Sequence, residues 1–218
     1  MPRRALRKLD PALDLSRHLR AAESLSPALD AAALFGRAAP LEVEVGSGKG
    51  LFLTAASQAA PELDFLGIEV SRKYARYAAS RLARQNATNA IVISGDALAL
   101  FRSWFPVASL AAVHVYFPDP WWKKRHKKRR VLNEFFLRDV QRTLVKGGRL
   151  HFWTDVEEYF QSTLALIAAV TQLAGPLPVG EKPAAHQLDY RTHFERRTRL
   201  SELPVYRAEF EKSADRQV

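Results

Sequence analysis

The chain of 218 residues is 47% hydrophobic, carries a formal net charge of +10 and contains no cysteine. That composition suits one domain with a sizeable core, and it excludes a disordered chain, a disulfide framework, a cysteine nucleophile and a thiolate metal site. No apolar run approaches the ~18 residues of a membrane span, and the first twenty residues lack the apolar core of a secretory signal, so the expected location is the cytoplasm.

Residues 1–24 lack clean periodicity, and Arg3, Arg4, Arg7, Lys8, Arg17 and Arg20 outweigh Asp10 and Asp14. Two readings stay open for them: an arm that pairs with phosphates, or a solvated tail. Residues 27–37 predict a short helix, with Pro27 in its first turn and Gly36 near its end. The segment 1–38 is thus expected to be a partly flexible basic arm plus a short helix, and 39–218 a single domain. Residues 41–45 predict a strand that stops at Gly46-Ser47-Gly48-Lys49-Gly50, followed by a helix over 51–60 closed by Pro61. A second strand is expected over 64–69, a helix over 71–85 and a third strand over 90–94, ending at Gly95-Asp96-Ala97. Residues 98–105 form a short helix or a loop, and 110–117 a fourth strand. Beyond a basic block, 132–144 predicts a helix stopped by Lys146-Gly147-Gly148. A fifth strand over 149–154, a helix over 156–169, an irregular stretch over 171–186, a polar cluster over 188–200 and a final strand over 206–211 complete the chain.

Strands alternating with helices argue for an α/β fold, a mostly parallel sheet with helices on both faces and ligand sites at the carboxyl ends of the strands. Glu69, Asp96, Asp119 and Asp155 fall at or just beyond such ends, and Glu44 lies within the first strand, just before the turn. The glycine turn permits close ligand approach at Gly46 and Gly48, but it is neither the full dinucleotide fingerprint nor a P-loop. Glu69, 19 residues after Gly50, is placed for a ribose diol, and Asp96 for the base of the same ligand. Glu44 would repel a pyrophosphate and favour a cationic ligand. S-adenosylmethionine, with an adenosine end, a sulfonium and an amino group, suits this set better than NAD does.

The densest signal is Tyr116 to Arg130, YFPDPWWKKRHKKRR. Pro118 and Pro120 hold Asp119 at the sheet edge, where a carboxylate can accept from the N1 and N2 edge of a guanine and leave N7 open. Trp121 and Trp122 either stack on bases or pack inside. Lys123 to Arg130 holds seven Lys/Arg, without which the net charge would be +3. Arg125, Lys127, Arg129 and Arg130 are read with Lys123 as phosphate contacts, although Arg129 and Arg130, near the next helix, have the alternative of facing back into the site. Thr192 and Glu195 face a ligand together if their segment is a turn or a helix start. The histidines are scattered, so metal independence is expected.

These residues resemble the bacterial tRNA (guanine-N7-)-methyltransferases, which methylate guanine 46 of the tRNA variable loop with S-adenosylmethionine. The likeness runs from Leu41 onward, through Glu44-Val45-Gly46-Ser47-Gly48-Lys49-Gly50, Phe65-Leu66-Gly67-Ile68-Glu69, Phe117-Pro118-Asp119-Pro120-Trp121 with its basic block, Thr154-Asp155, and Thr192-x-Phe194-Glu195-x-Arg197. It implies a class I, Rossmann-like methyltransferase domain over 39–218, with seven strands, the last antiparallel. It also implies a cofactor site at Glu44, Glu69 and Asp96, beside Gly46, Gly48 and Ala97, and a reaction centre at Asp119. Lys123, Asp155, Thr192 and Glu195 would serve the target nucleotide. The partner implied is tRNA and the assembly a monomer or a homodimer. The rival readings are a methyltransferase for another RNA atom, a non-catalytic RNA-binding protein of this fold, and an NAD-dependent oxidoreductase. Trp122 stands where the family usually has proline or histidine, the family's glycine two residues after Glu195 is absent, and the N-terminal arm matches poorly.

Overall fold

The computed structural model describes residues 6, 8–181, 183–184, 186 and 189–213, without the side chains of Lys124 and Lys127. In chain order these form β1 (Leu19–Ala21), α1 (Ala31–Phe35), β2 (Leu41–Val45), α2 (Leu51–Ala59), β3 (Asp64–Glu69), α3 (Arg72–Arg84), β4 (Ala90–Ser94), α4 (Ala97–Ser103), β5 (Leu110–Tyr116), α5 (Glu134–Thr143), β6 (Leu144–Thr154), α6 (Glu157–Val170), β7 (Ala174–Leu177), α7 (His193–Leu200) and β8 (Tyr206–Glu211). Several helices begin where the sequence supplies an acceptor for their first free N–H groups. Asp30 accepts from Ala33 N, Asp96 from Leu98 N, Asn133 from Phe136 N and Thr192 from Glu195 N. Gly36, left-handed at φ 74°, ends α1.

The sheet has eight strands in the order β1-β4-β3-β2-β5-β6-β8-β7. The pairs from β1 through β6 are parallel, and β8 is antiparallel to both of its neighbours. The last strand is therefore antiparallel, as expected, but seven strands become eight. The additional one is β1, which adds to the free edge of β4 with Leu19 opposite Val92. Just before it, buried His18 reaches the Ala87 carbonyl through Nε2 at 2.8 Å. Two further expectations need correction. Lys146-Gly147-Gly148 is not the helix stop: α5 ends at Thr143, and the glycines lie within β6, which starts five residues earlier than the strand read at 149–154. Gly147, at φ 75°, bends that strand while its N–H bonds to the Lys212 carbonyl. The 171–186 stretch is also not wholly irregular, because it contains β7.

Alternation along each strand divides the core. Leu41, Val43 and Val45 of β2 face a layer that includes Phe101, Phe136, Val140 and Tyr159 from α4, α5 and α6. The opposite face packs Phe65, Val92, Tyr116 and Trp153 against α2 and α3. Each fully buried side chain of this size contributes roughly 1.5–3 kcal/mol through removal from water. Two glycines let backbone come close on that second face. A Cβ on Gly67 would meet Leu53 Cδ1 and Ser47 Oγ at 2.4 Å, and one on Gly50, itself at φ 69°, would meet Ala78 Cβ at 2.7 Å. The glycine turn can therefore lie flat on β3 and α3.

Candidate active site

Five acids stand at the carboxyl edge of five neighbouring parallel strands: Asp96 after β4, Glu69 ending β3, Glu44 near the end of β2, Asp119 after β5 and Asp155 after β6. The strand order thus gathers groups spread over much of the chain. The glycine turn is pulled onto this edge by its own backbone. Gly46 N and Ser47 N both donate to Ile68 O, at 2.8 and 3.2 Å. Glu69 completes the attachment, accepting from Gly48 N through Oε2 at 2.9 Å and from Ser71 N through Oε1 at 2.8 Å. A carboxylate has about four acceptor positions, so about two remain for a ligand.

Glu44 is 2% exposed, and its Oε2 has no hydrogen-bond partner. Burial pushes its pKa up to about 8; the Ser47 hydroxyl opposes this, Glu69 adds to it and Arg191 opposes it. Its surroundings are polar but rigid. His114 is held between Glu42 Oε2 at 2.8 Å and Tyr116 OH at 2.9 Å, and Phe52 rests on the His114 ring at 4.5 Å. Burial brings His114 down to about 4, so the imidazole is neutral at pH 7. At the far side, Asp96 is exposed, one carboxylate oxygen capping α4, while Ala97 is buried behind it. Beside Asp96 opens a cleft of about 460 Å³, lined in part by Arg20, Val70, Arg72 and Arg76. Val70 is 74% exposed there, an apolar surface for a flat ring.

Asp119 sits on a turn bracketed by two non-glycine residues in the left-handed region, Phe117 at φ 49° and Trp121 at φ 47°. Such backbone costs about 1–3 kcal/mol per residue and persists only where neighbours enforce it. Here Phe117 N donates to Trp153 O at 2.8 Å. Buried Arg130 donates from Nε to Pro120 O at 2.8 Å and lies over the Tyr159 ring at 4.3 Å. Arg130 thus faces inward, clamping the Asp119 turn to α6. The basic block is a short 3₁₀ helix from Lys124 to Arg129. Lys123, Arg125 and Lys128 are exposed, and Arg129 lies over Trp121 at 5.1 Å. The side chain of Lys127 lies outside the described residues. The two tryptophans separate: Trp121 packs edge-on against His126 at 5.9 Å, whereas Trp122 is 65% exposed.

Thr192 and Glu195 do form a helix start, but they do not face outward together. Glu195 is 2% exposed; it accepts from Arg191 N at 2.6 Å and pairs with Arg199 at 3.3 Å and Arg207 at 3.5 Å. It fixes the turn that carries Thr192. Asp155, one residue past β6, is exposed.

A methyltransferase family model, described as a putative methyltransferase, matches residues 38–208. A tRNA (guanine-N(7)-)-methyltransferase of Rhodopirellula baltica is 50% identical over 218 residues, covering 97% of this chain and 80% of the relative. The chain belongs to the tRNA (guanine-N7-)-methyltransferase family. Another member, from Methylococcus capsulatus, is 39% identical over 168 residues, covering 76% of this chain and 71% of its own. Among solved structures, a variant of the 16S rRNA (adenine(1408)-N(1))-methyltransferase from Catenulisporales acidiphilia, with cosubstrate SAM, overlays with a TM-score of 0.57 at 18% identity. That overlay covers 86% of this chain and 92% of that one, a likeness of fold.

The methyltransferase's edge fits S-adenosylmethionine residue by residue. The unpartnered Glu44 oxygen suits an ammonium, the open lone pairs of Glu69 suit two hydroxyls, and Val70 beside Asp96 suits the base. One contributor carries no signal in the sequence. Arg191 lies over Phe52 at 5.4 Å and Trp153 at 6.0 Å, and its charge acts on Glu42 and Glu44. No spacing rule marks it, because it reaches the site only through the turn that Glu195 holds. Among the described residues, no group of three His, Cys, Asp or Glu side chains is arranged to hold a metal ion.

Proposed function

We propose that this chain transfers a methyl group from S-adenosylmethionine to N7 of guanine 46 in the tRNA variable loop. The observation that carries this reading is the position of Asp119. It lies on a clamped, strained turn after the strand beside Glu44, and it leads directly into an exposed basic helix. The cofactor, when bound, supplies a methyl group activated on a sulfonium. Guanine N7 carries an in-plane lone pair, so no side chain has to remove a proton before attack. The chain's own task is alignment and charge compensation. Asp119 accepts hydrogen bonds from the guanine edge and offsets the positive charge that grows on the ring. Glu44 holds the cofactor's ammonium, Glu69 its ribose and Asp96 the base end. Thr192 and Asp155 flank the target nucleotide, and Glu195 acts by fixing Thr192. Lys123, Arg125, Lys128 and Arg129 neutralise RNA phosphates, with the target base turned out of the tRNA core. The reaction takes place in the cytoplasm, on soluble tRNA.

The test is incubation of the protein with unmodified tRNA and a labelled methyl donor, followed by nucleoside analysis and mapping of the labelled position. Label in 7-methylguanosine at position 46 is expected. Label in another nucleoside overturns the assignment of the atom, and 7-methylguanosine at another position overturns the assignment of the site.

A further inference from the structure

A second group of cations lies on α3, α7 and the glycine turn, apart in the chain from the basic helix. Arg81 of α3 points at His193, the first residue of α7, with Nη1 3.3 Å from Nε2. Burial brings the His193 imidazole down to about 4, and the charges of Arg81, then of Lys49 in the glycine turn and Arg196 of α7, act on it in the same direction. Among the described residues no carboxylate pairs with Lys49, Arg81 or Arg196, although the same helix pairs Arg199 with Glu181 and Glu195. Arg81 and Lys49 are half-buried, and burial disfavours the charge on Arg81. Like charges gathered around a neutral ring repel one another unless an anion sits among them. A solvated charged face would instead spread its cations outward.

The position indicates which anion. Phe194, the next residue after His193, lies against Phe117 at 6.3 Å and 18° between ring planes, at the base of the turn that carries Asp119. His193 is therefore the chain neighbour of a residue that packs on the Asp119 turn. A nucleotide turned out of its stack and held at Asp119 brings its flanking phosphodiesters within one backbone step. We infer that Lys49, Arg81, His193 and Arg196 form a phosphate site for the RNA backbone beside the target guanosine. Neutral His193 donates one ring N–H to a phosphate oxygen, and the cations compensate its charge. With the basic helix, this site grips the strand from two sides of the pocket. The inference rests on the proposed tRNA reaction.

The carboxylate of the cofactor has the same chemistry as a phosphate here, and the experiment separates the two. Lys49→Gln and Arg81→Gln are made in the full chain, and Kd is measured for unmodified tRNA across a salt series and for S-adenosylmethionine by calorimetry. Each variant is expected to weaken tRNA about tenfold and to lower the slope of log affinity against log salt by ~0.7, one phosphate contact. S-adenosylmethionine affinity should stay within about twofold, and Arg81→Lys should keep most of the tRNA affinity. Weaker cofactor binding with unchanged tRNA binding assigns the anion to the cofactor and overturns the site; so does a variant in which neither changes. Lys49 makes no side-chain hydrogen bond among the described residues, so Lys49→Gln carries the test even if Arg81→Gln melts early. Wild-type turnover in the same assays tests the tRNA reaction separately, because binding is read without it.

Discussion

The two halves of the site are held by different means. The cofactor half is held through main-chain groups: strand, glycine turn and helix follow one another, and the Glu69 carboxylate ties the turn to its neighbour by accepting from two main-chain N–H groups. The substrate half is held by side chains that reach across the molecule. Arg130 pins Pro120 to α6, and Arg207 of β8 supports the carboxylate of Glu195. Regular backbone gives the first half its rigidity at little conformational cost. The second half keeps left-handed residues at Phe117 and Trp121 only because those long-range clamps enforce them. Substitutions that loosen the main-chain attachments of the first half should therefore act on cofactor affinity, and those in the second on turnover and RNA.

The sharpest break is Asp119→Asn, which should lower kcat roughly 100-fold while leaving calorimetric S-adenosylmethionine affinity unchanged; equal losses in both would erase the distinction between the halves. Next is Glu69→Gln. It retains an acceptor but loses the charge that holds Gly48 and Ser71, and it should weaken S-adenosylmethionine by about 1.5–3 kcal/mol, on the order of 10- to 100-fold, with kcat at saturation nearly intact. Arg130→Met should lower kcat about tenfold through a loosened turn, with no change in the salt slope of tRNA binding. Arg125→Ala should do the reverse, costing a few-fold in tRNA affinity and lowering that slope by ~0.7.

The remaining effect is on stability, not on activity, and belongs to Glu44. Its folded pKa, about 8, lies above the usual 4.5. Between those values the folded state holds a proton that the unfolded state has released, so the stability that Glu44 contributes is full below pH 4.5 and declines as pH rises toward 8. Chemical denaturation of the unliganded protein between those two pH values should show that decline, and Glu44→Gln should flatten it.

The same contrast explains what the sequence makes legible. The alternation over 41–45, the glycine turn, the acid closing 64–69 and the cap at Asp96 are local signals, and the cofactor half follows from them. In the substrate half the chain announces Asp119 and the charge, and it leaves two orientations open for Arg130 without deciding that it turns inward. That depends on Tyr159 and Ser162, which lie far along the chain on α6. The burial of Glu195 depends in turn on Arg207 of β8, and the placement of Arg191 follows from it. Strand β1 escapes a reading of the sequence because three residues at an edge carry too little alternation to register. Strand β6 reads as starting late because Gly147 and Gly148 are as suited to a bend in a strand as to a helix stop.

Strand β1 also bears on the rim of the sheet. Without it, β4 would form the rim of the sheet, and its Ile91, Val92 and Ile93 run as an uncharged, β-branched segment with one unpaired backbone ladder. Such a rim is a template on which strands from other molecules add, the first step toward aggregation. Three residues from the basic leading segment occupy that template, and Arg20 at their centre places a charge on the new outer edge. The segment therefore removes the β4 rim as a template for strand addition.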